Sequence, residues 1–407
     1  MRRAMVVTVG TGIGRDAEES ARSIASGIAV SLRTSNPSKV VFVVSEESYE
    51  VTLPKVREMQ EVPEMEVEML RDINDLDEAF EKVLRCIERL VSSGYDVVVD
   101  FTSGTKAMSA GAVLAATQEG VKLSYVAGKR QGGRVVRGTE KVTVCSPVRG
   151  MLRMQEKMVS GFFDIYQFEA AVRLLREMAE MDASMGEEYM RQLRIVEGYM
   201  LWDRFNHEGA FERLEGMEGV PAGNKEFLGR LVRCRESKEP YYIADLLNNA
   251  ERRAEEGKYD DGVARLYRTA EMVAQYRLRG RYGIDTGDVD VSLLGEEAAE
   301  RYRRYMDERG RIRVGMLRAY ELLQELGDEL GEMLIADRRM RSLLTRRNES
   351  ILAHGTAPVE EGVFAELRER VVELARKAVP ELDSLMEKAR FPVFEQVAGV
   401  HGLHRGG

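Results

Sequence analysis

Along the first 150 positions, apolar residues fall into short unbroken runs separated by longer stretches where they recur every three or four residues. The runs Met5–Val9, Val40–Ser45, Met65–Leu70, Val97–Phe101 and Leu123–Val126 predict strands. Ala17–Leu32, Asp75–Ser93 and Lys106–Gln118 predict amphipathic helices between them. Strands that are apolar on both faces and alternate with helices belong in a parallel sheet covered on both sides, so this part predicts an α/β doubly wound domain. The Val135–Val144 stretch after Gln131-Gly132-Gly133 predicts a closing hairpin, with turns at Gly132-Gly133 or Gly138.

After residue 150 the strand pattern stops. Phe162–Met181, Glu187–Arg204, Ile243–Glu256, Asp260–Leu278, Ile312–Leu330 and Ala336–Ala353 carry helical periodicity, and an ordinary helical core accounts for most of their residues. Breaks at Pro221-Ala222-Gly223 and Glu239-Pro240 divide this all-α part into roughly 151–239 and 240–390. Residues 391–407 are expected to be a C-terminal tail, loose from Gly399 onward.

Composition narrows the class. The chain has 407 residues, enough for two or three domains, and a formal net charge of -9. Such a chain does not coat DNA or an anionic membrane through bulk charge, so any nucleic acid is gripped locally. Apolar residues at 44% and charged residues at 32% indicate a soluble globular protein. Cys86, Cys145 and Cys234 are odd in number and far apart, which excludes a disulfide framework and suits a reducing cytosol. The apolar run after Arg2-Arg3 is too short for a signal peptide and ends in a glycine loop, and no stretch approaches a membrane span. A cytoplasmic location is expected. Arginine clusters at Arg338-Arg339, Arg341 and Arg346-Arg347, either as a solvated helix face or for phosphate recognition, which its planar fork suits.

Two loops carry candidate chemistry. In a doubly wound sheet ligands bind beyond the carboxyl ends of the strands. The first strand ends in Gly10-Thr11-Gly12 and the fourth in Thr102-Ser103-Gly104-Thr105-Lys106, which runs into a helix. Glycines admit a ligand to the backbone, hydroxyls donate hydrogen bonds, and a helix N-terminus with a lysine favours anionic oxygens. This chemistry suits a phosphate ester. Tight turns alone would also account for the first loop. Neither loop has the spacing of a dinucleotide-binding fingerprint or a P-loop, which argues against an ATPase.

The fourth-strand segment VVVDFTSGTKAMSAG resembles the corresponding segment of CARF domains, the Rossmann-like sensors of CRISPR systems. The early glycine-threonine loop and the terminal YVAGKRQGGRVVRGTEKV segment occur where such domains have theirs, so the resemblance spans roughly residues 1–150. It implies that a cyclic oligoadenylate binds in a pocket shared by two subunits. It assigns ligand-binding roles to Gly10, Thr11, Gly12, Thr102, Ser103, Gly104, Thr105 and Lys106. Ring size does not follow.

A second candidate site lies at Arg347-Asn348-Glu349-Ser350-Ile351-Leu352-Ala353-His354, followed by Gly355. On one continuous helix stopped by Gly355, Arg347 and His354 would share a face about 10 Å apart along the axis, with His354 in the last turn. Cleaving RNA without a metal requires a 2′-hydroxyl deprotonated, a 5′-oxygen protonated and charge on phosphorus stabilised, which a histidine and an arginine can provide. The spacing alone is a weak pattern, because helical histidines commonly just pack or hydrogen-bond.

Residues 240–380, however, look like a HEPN domain, an all-helical ribonuclease family with the signature R-x(4–6)-H and a polar residue after the arginine. The segment GKYDDGVARLYRTAEMVAQYRLRGRYGIDT also resembles the early helices of CARF–HEPN proteins. The resemblance implies a composite site across a homodimer, with Arg347 and His354 catalytic and Asn348 orienting the pair or the substrate backbone. It implies a cyclic oligoadenylate-activated endoribonuclease acting on single-stranded RNA in type III CRISPR defence. The expected partners are a second copy, the activator and RNA, with no DNA, membrane, metal or other cofactor. Two other readings stay open: a nucleotide-binding dimeric regulator or toxin-like partner whose Arg–His pair is structural, and a sensor that degrades its own ligand. His207 has no partner pattern, and His401 and His404 lie far from any carboxylate cluster.

Overall fold

The computed structural model describes residues 2–12, 17–62, 64–131, 134, 135, 138–181, 185–352 and 355–399, with 130, 131, 134, 135 and 346–349 described by backbone alone. The chain divides into two compact units, Met1–Glu156 and Lys157–Gly407.

In the first unit the order is β1 (Arg3–Val9), α1 (Ala17–Ser35), β2 (Lys39–Val44), α2 (Glu46–Val51), α3 (Leu53–Met59), β3 (Met65–Met69), α4 (Leu76–Ser92), β4 (Asp96–Asp100), α5 (Lys106–Gln118), β5 (Lys122–Ala127), β6 (Arg130–Gln131), β7 (Arg134–Val135) and β8 (Lys141–Cys145). The main sheet runs β3-β2-β1-β4-β5-β8, parallel except for β8, which lies antiparallel on β5. Alternate residues of the central strands feed two cores. Ala4, Val6, Val97 and Val99 face α4 and α5, while Met5, Val7, Val98 and Phe42 face α1 and α3. The expected doubly wound architecture is therefore the one found, with both faces covered.

Two differences are local. The short helices α2 and α3 have no periodic run long enough to predict them, and form because Ser45 and Ser48 cap each other in a capping box and Pro54 sits in the first turn of α3. The closing hairpin is made by β5 and β8, paired from Leu123↔Cys145 to Ala127↔Lys141, with β6 and β7 forming a small ladder between them. Gly138, at φ +80°, lies before β8, and Gly132-Gly133 are outside the described residues.

The unit boundary falls within α6 (Val148–Asp164). The second unit continues with α7 (Phe168–Met181), α8 (Gly186–Asp203), α9 (His207–Leu214), α10 (Ala222–Arg233), α11 (Glu239–Glu255), α12 (Tyr259–Tyr282), α13 (Glu296–Arg303), α14 (Met316–Glu325), α15 (Glu329–Ala336), α16 (Arg338–Glu349), α17 (Glu361–Ala378), α18 (Leu382–Lys388) and α19 (Phe394–Ala398). The stretch expected as one helix over Phe162–Met181 is two, broken where Tyr166 takes φ +61°. Ile312–Leu330 is likewise interrupted, because Gly327 adopts φ +70° and Asp328 caps the amide of Leu330 to start α15. Pro221 and Pro240 mark the starts of α10 and α11.

Residues 391–398, expected as part of a tail, are packed into the second unit. Phe391 packs against Tyr199, Trp202 and Phe168, and Phe394 against Phe163, so apolar side chains draw residues 391–398 into the core. Among the described residues, no helix is long and apolar enough to cross a membrane.

Candidate functional sites

The first site follows from strand order. β1 and β4 are adjacent and parallel, yet the chain leaves β1 toward β2 and β3 and returns through α4 to β4. Their carboxyl ends thus open onto a topological switch point, where ligands of open α/β sheets bind. The Gly10–Gly12 loop and the Phe101–Thr105 loop meet there. A Cβ on Gly10 would stand 2.8 Å from the Cα and N of Gly104, so the two backbones touch. Gly12 at φ +88° and Gly104 at φ +115° occupy left-handed backbone that only glycine adopts without strain.

The hydroxyls are used mainly inward. Ser103 Oγ donates to the carbonyl of Thr8 at 2.7 Å and accepts from the amide of Gly10 at 3.4 Å, and Thr8 Oγ1 donates to the carbonyl of Ser103. Thr105 Oγ1 accepts from the Met108 amide as the cap of α5 and donates to the carbonyl of Ile73. Thr102 Oγ1 accepts from the Val126 amide at 3.0 Å, which leaves its own proton available. Thr52 Oγ1 holds the carbonyl of Gly10 at 2.9 Å. Beneath the loops, the fully buried Asp100 accepts from Ser31, from Ser124 at 2.8 Å and from the Thr102 amide at 2.9 Å.

The groups left facing outward are therefore the exposed Gly104, the half-buried Thr11 and Thr102, the Lys106 and Ala107 amides at the start of α5, and the Lys106 side chain, which is exposed and has no ion pair among the described residues. Sequence reasoning named the loops but missed the buried frame of Thr8, Ser31, Thr52, Asp100 and Ser124. One signal was present, because Asp100 is an acid closing the apolar run Val97–Val99.

The second site is built on α16. Asp337 accepts from the Met340 amide at 2.9 Å to start the helix and pairs with Arg370 of α17. Arg339 forks onto Glu366 of α17 with contacts of 2.6 to 3.0 Å, and the two arginines hold the Glu366 carboxyl below the usual range. Met340, Leu343 and Leu344 are buried.

The helix ends at Glu349, so Arg347 and His354 do not share one continuous helix stopped at Gly355. Asn348 and Ser350 are poor interior helix residues that favour local hydrogen bonds, which is a physical reason for the early stop. The Gly355 amide reaches back to the carbonyl of Ser350 at 3.2 Å, and the Val359 amide bonds Asp260 of α12 at 3.2 Å. Gly262 lets α12 pack on α17, since a Cβ there would stand 2.7 Å from the ring of Phe364. His354 lies outside the described residues, as do the side chains of Arg347 and Asn348 and the residues His401 and His404.

His207, which had no partner in sequence, is buried against Asp245, 38 residues away.

The Csm6 6H domain model matches residues 153–234 and the Csm6 HEPN domain model residues 231–378. The chain belongs to the CARF–HEPN family of CRISPR-associated proteins. Its fold is that of Enterococcus italicus Csm6 bound to cyclic hexa-2′-fluoro-hexa-dAMP, with a TM-score of 0.63 and 14% identity over 96% of this chain and 98% of that one. Can2 from Sulfobacillus thermosulfidooxidans, in complex with cyclic tetra-adenylate, aligns at a TM-score of 0.25 and 10% identity over 71% of this chain and 72% of that one, too loosely to carry an argument. No curated protein matches the chain. Within this CARF–HEPN chain, α16 falls in the Csm6 HEPN match and the loops at the β1/β4 switch point precede the Csm6 6H match.

Proposed function

We propose that this CARF–HEPN protein is an endoribonuclease switched on by a cyclic oligoadenylate, cutting single-stranded RNA without a metal as part of type III CRISPR defence. The observation that carries the reading is the position of Arg347, Asn348 and His354 inside the segment matched by the Csm6 HEPN domain model. Arg347 holds the scissile phosphate and stabilises its developing charge. His354 moves the proton between the 2′-hydroxyl and the 5′-oxygen, and Asn348 orients the pair. Two chains bring two such motifs together in a homodimer, so one pair per chain suffices.

The activator sits over the β1 and β4 loops. Its phosphates meet the α5 amides, Lys106, Thr11 and Thr102, while Gly10, Gly12 and Gly104 admit them to the backbone and Ser103 and Thr105 hold the loops in shape. The likeness to a Csm6 solved with a cyclic hexa-adenylate analogue supports this class of ligand. Activation requires that the ligand bind the active arrangement more tightly than the resting one.

The test is purified protein with labelled RNA and cyclic oligoadenylates of several ring sizes, with and without chelator. Cleavage that appears with one ring size, persists in chelator and leaves 2′,3′-cyclic phosphate and 5′-hydroxyl ends is expected. Silence with every ring size, or strict metal dependence, overturns the reading.

A further inference from the structure

Between α13 and the start of α14 the chain makes a compact excursion with unusual chemistry. Residues 301–318 contain seven arginines, no lysine, and only Asp307 and Glu308 as acids, in a chain whose net charge is -9. Elsewhere in the second unit arginines are widely matched to carboxylates, as in Arg173–Glu177, Arg176–Glu197, Arg233–Glu215 and Arg376–Asp383. Here Arg301 pairs with Glu325 and Arg311 lies 3.7 Å from Asp307, but Arg303, Arg304, Arg309 and Arg313 are exposed and make no ion pair among the described residues.

The excursion is a built scaffold. Asp307 Oδ1 accepts from the amides of Arg309 and Arg311 at 2.9 and 3.0 Å, Gly310 turns the chain at φ +74°, and Met306 bridges Ile312. Those amides and the nearby Arg311 hold the Asp307 carboxyl below its usual range. The returning strand is pinned by hydrogen bonds from Val289 to Ile312 at 2.8 Å and from Val314 to Thr286 at 3.0 Å. Ile312 and Val314 are buried, so Arg311 and Arg313, alternating with them, are set outward. Beside the arginines Tyr305 is 40% exposed, with the guanidinium of Arg318 over its ring at 3.7 Å from the centroid.

Exposed guanidinium forks suit bidentate phosphate contacts, and an aromatic ring backed by arginine makes a stacking platform for an unpaired base. We propose that residues 303–318 are the docking surface for single-stranded RNA, with Arg303, Arg304, Arg309 and Arg313 on phosphates and Tyr305 stacking a base. This deepens the ribonuclease reading and rests on it. A duplex offers no splayed base to Tyr305, and an acidic protein has no need of the ring.

The full-length protein is titrated with a fluorescent 2′-O-methyl single-stranded RNA, which binds but lacks the attacking hydroxyl, over a range of salt. Replacing all four arginines by alanine should weaken binding at least tenfold and flatten the log Kd against log salt slope by roughly 2 to 3. Tyr305→Ala should weaken it about fivefold or more, with Tyr305→Phe restoring it. On cleavable RNA the same variants should raise KM with kcat within about twofold, because the excursion binds and does not react. Unchanged affinity and slope in variants that melt like the parent overturn the docking surface, and cleavage by those variants would leave the ribonuclease reading standing. Binding of the analogue without cleavage of ordinary RNA does the reverse. Preference for a polyglutamate probe over RNA assigns the patch to an acidic partner and overturns the proposal.

Discussion

His207 Nε2 lies 2.7 Å from Asp245 Oδ2, and both side chains are buried. The histidine opens α9, within the Csm6 6H match, and the aspartate stands on α11, within the Csm6 HEPN match. The contact therefore ties the two matched segments into one core. It does not act alone. Arg252 Nη2 approaches Asp245 Oδ1 at 3.7 Å, its Nε bonds Asp203 at 2.8 Å, and its guanidinium lies 3.9 Å from the centroid of the Phe391 ring. Arg253 reaches the same Asp203 at 2.8 Å.

Removing Asp245 takes the carboxylate from the buried His207 and leaves Arg252 with Asp203 alone. Asp245→Ala should destabilise the second unit by about 3 kcal/mol or more. The chain has one tryptophan, Trp202, which is buried and packs on Phe391, so its fluorescence reports this unit during urea unfolding. An unchanged midpoint would show that the cluster contributes nothing.

The two loops at the switch point should separate binding from folding. Lys106→Ala removes an exposed charge with no ion pair among the described residues and should weaken cyclic oligoadenylate about tenfold while leaving the melting temperature alone. Ser103→Ala removes the partner of the Thr8 carbonyl and the Gly10 amide, and should cost about 1 to 3 kcal/mol of first-unit stability. Isothermal titration and calorimetric melting of both variants check the pair.

Arg347→Ala and His354→Ala should each lower activated RNA cleavage by at least about a hundredfold, with ligand affinity and melting unchanged. Loss of ligand binding in either variant would favour the regulator reading with a structural pair.

The α16–α17 contact should depend on pH. Because Arg339 and Arg370 lower the folded-state pKa of Glu366, its contribution is present above the unfolded-state value of about 4.3 and lost as pH falls through the lower folded value. The stability gap between the parent and Glu366→Gln should therefore narrow as unfolding is measured from pH 6 down toward about pH 3. A gap that stays constant would show that the pair is not electrostatic.

Thiol reactivity should follow burial. Cys86 lies on the buried face of α4 and burial pushes its thiol up to about 11, whereas Cys145 is exposed. Iodoacetamide at pH 8 should label Cys145 in the folded protein and Cys86 only after denaturation, as read by mass spectrometry.

Sequence alone was enough for the elements whose cause is local. Apolar runs such as Val97–Val99 cannot face water on either side, so they specify strands between covering helices, and the three- and four-residue spacing of α4 and α5 specifies their partners. The Gly10 and Thr102–Lys106 loops were legible as well, because glycine and hydroxyl residues after a strand mark a place where the backbone does something other than turn. The helical breaks at Tyr166 and Gly327 were less so, since apolar periodicity continues across them.

Tertiary structure decided the rest, because it depends on partners remote in the chain. That Ser103 holds the Thr8 carbonyl spans 95 positions, and that Asp100 gathers Ser31 and Ser124 spans 69 and 24, distances no local pattern encodes. It drew Phe391 and Phe394 into an aromatic core, and gave His207 a partner in Asp245. The reason is common to all of them: a buried polar group or ring must be satisfied by whichever side chain the packing brings to it, and packing is set by the whole unit.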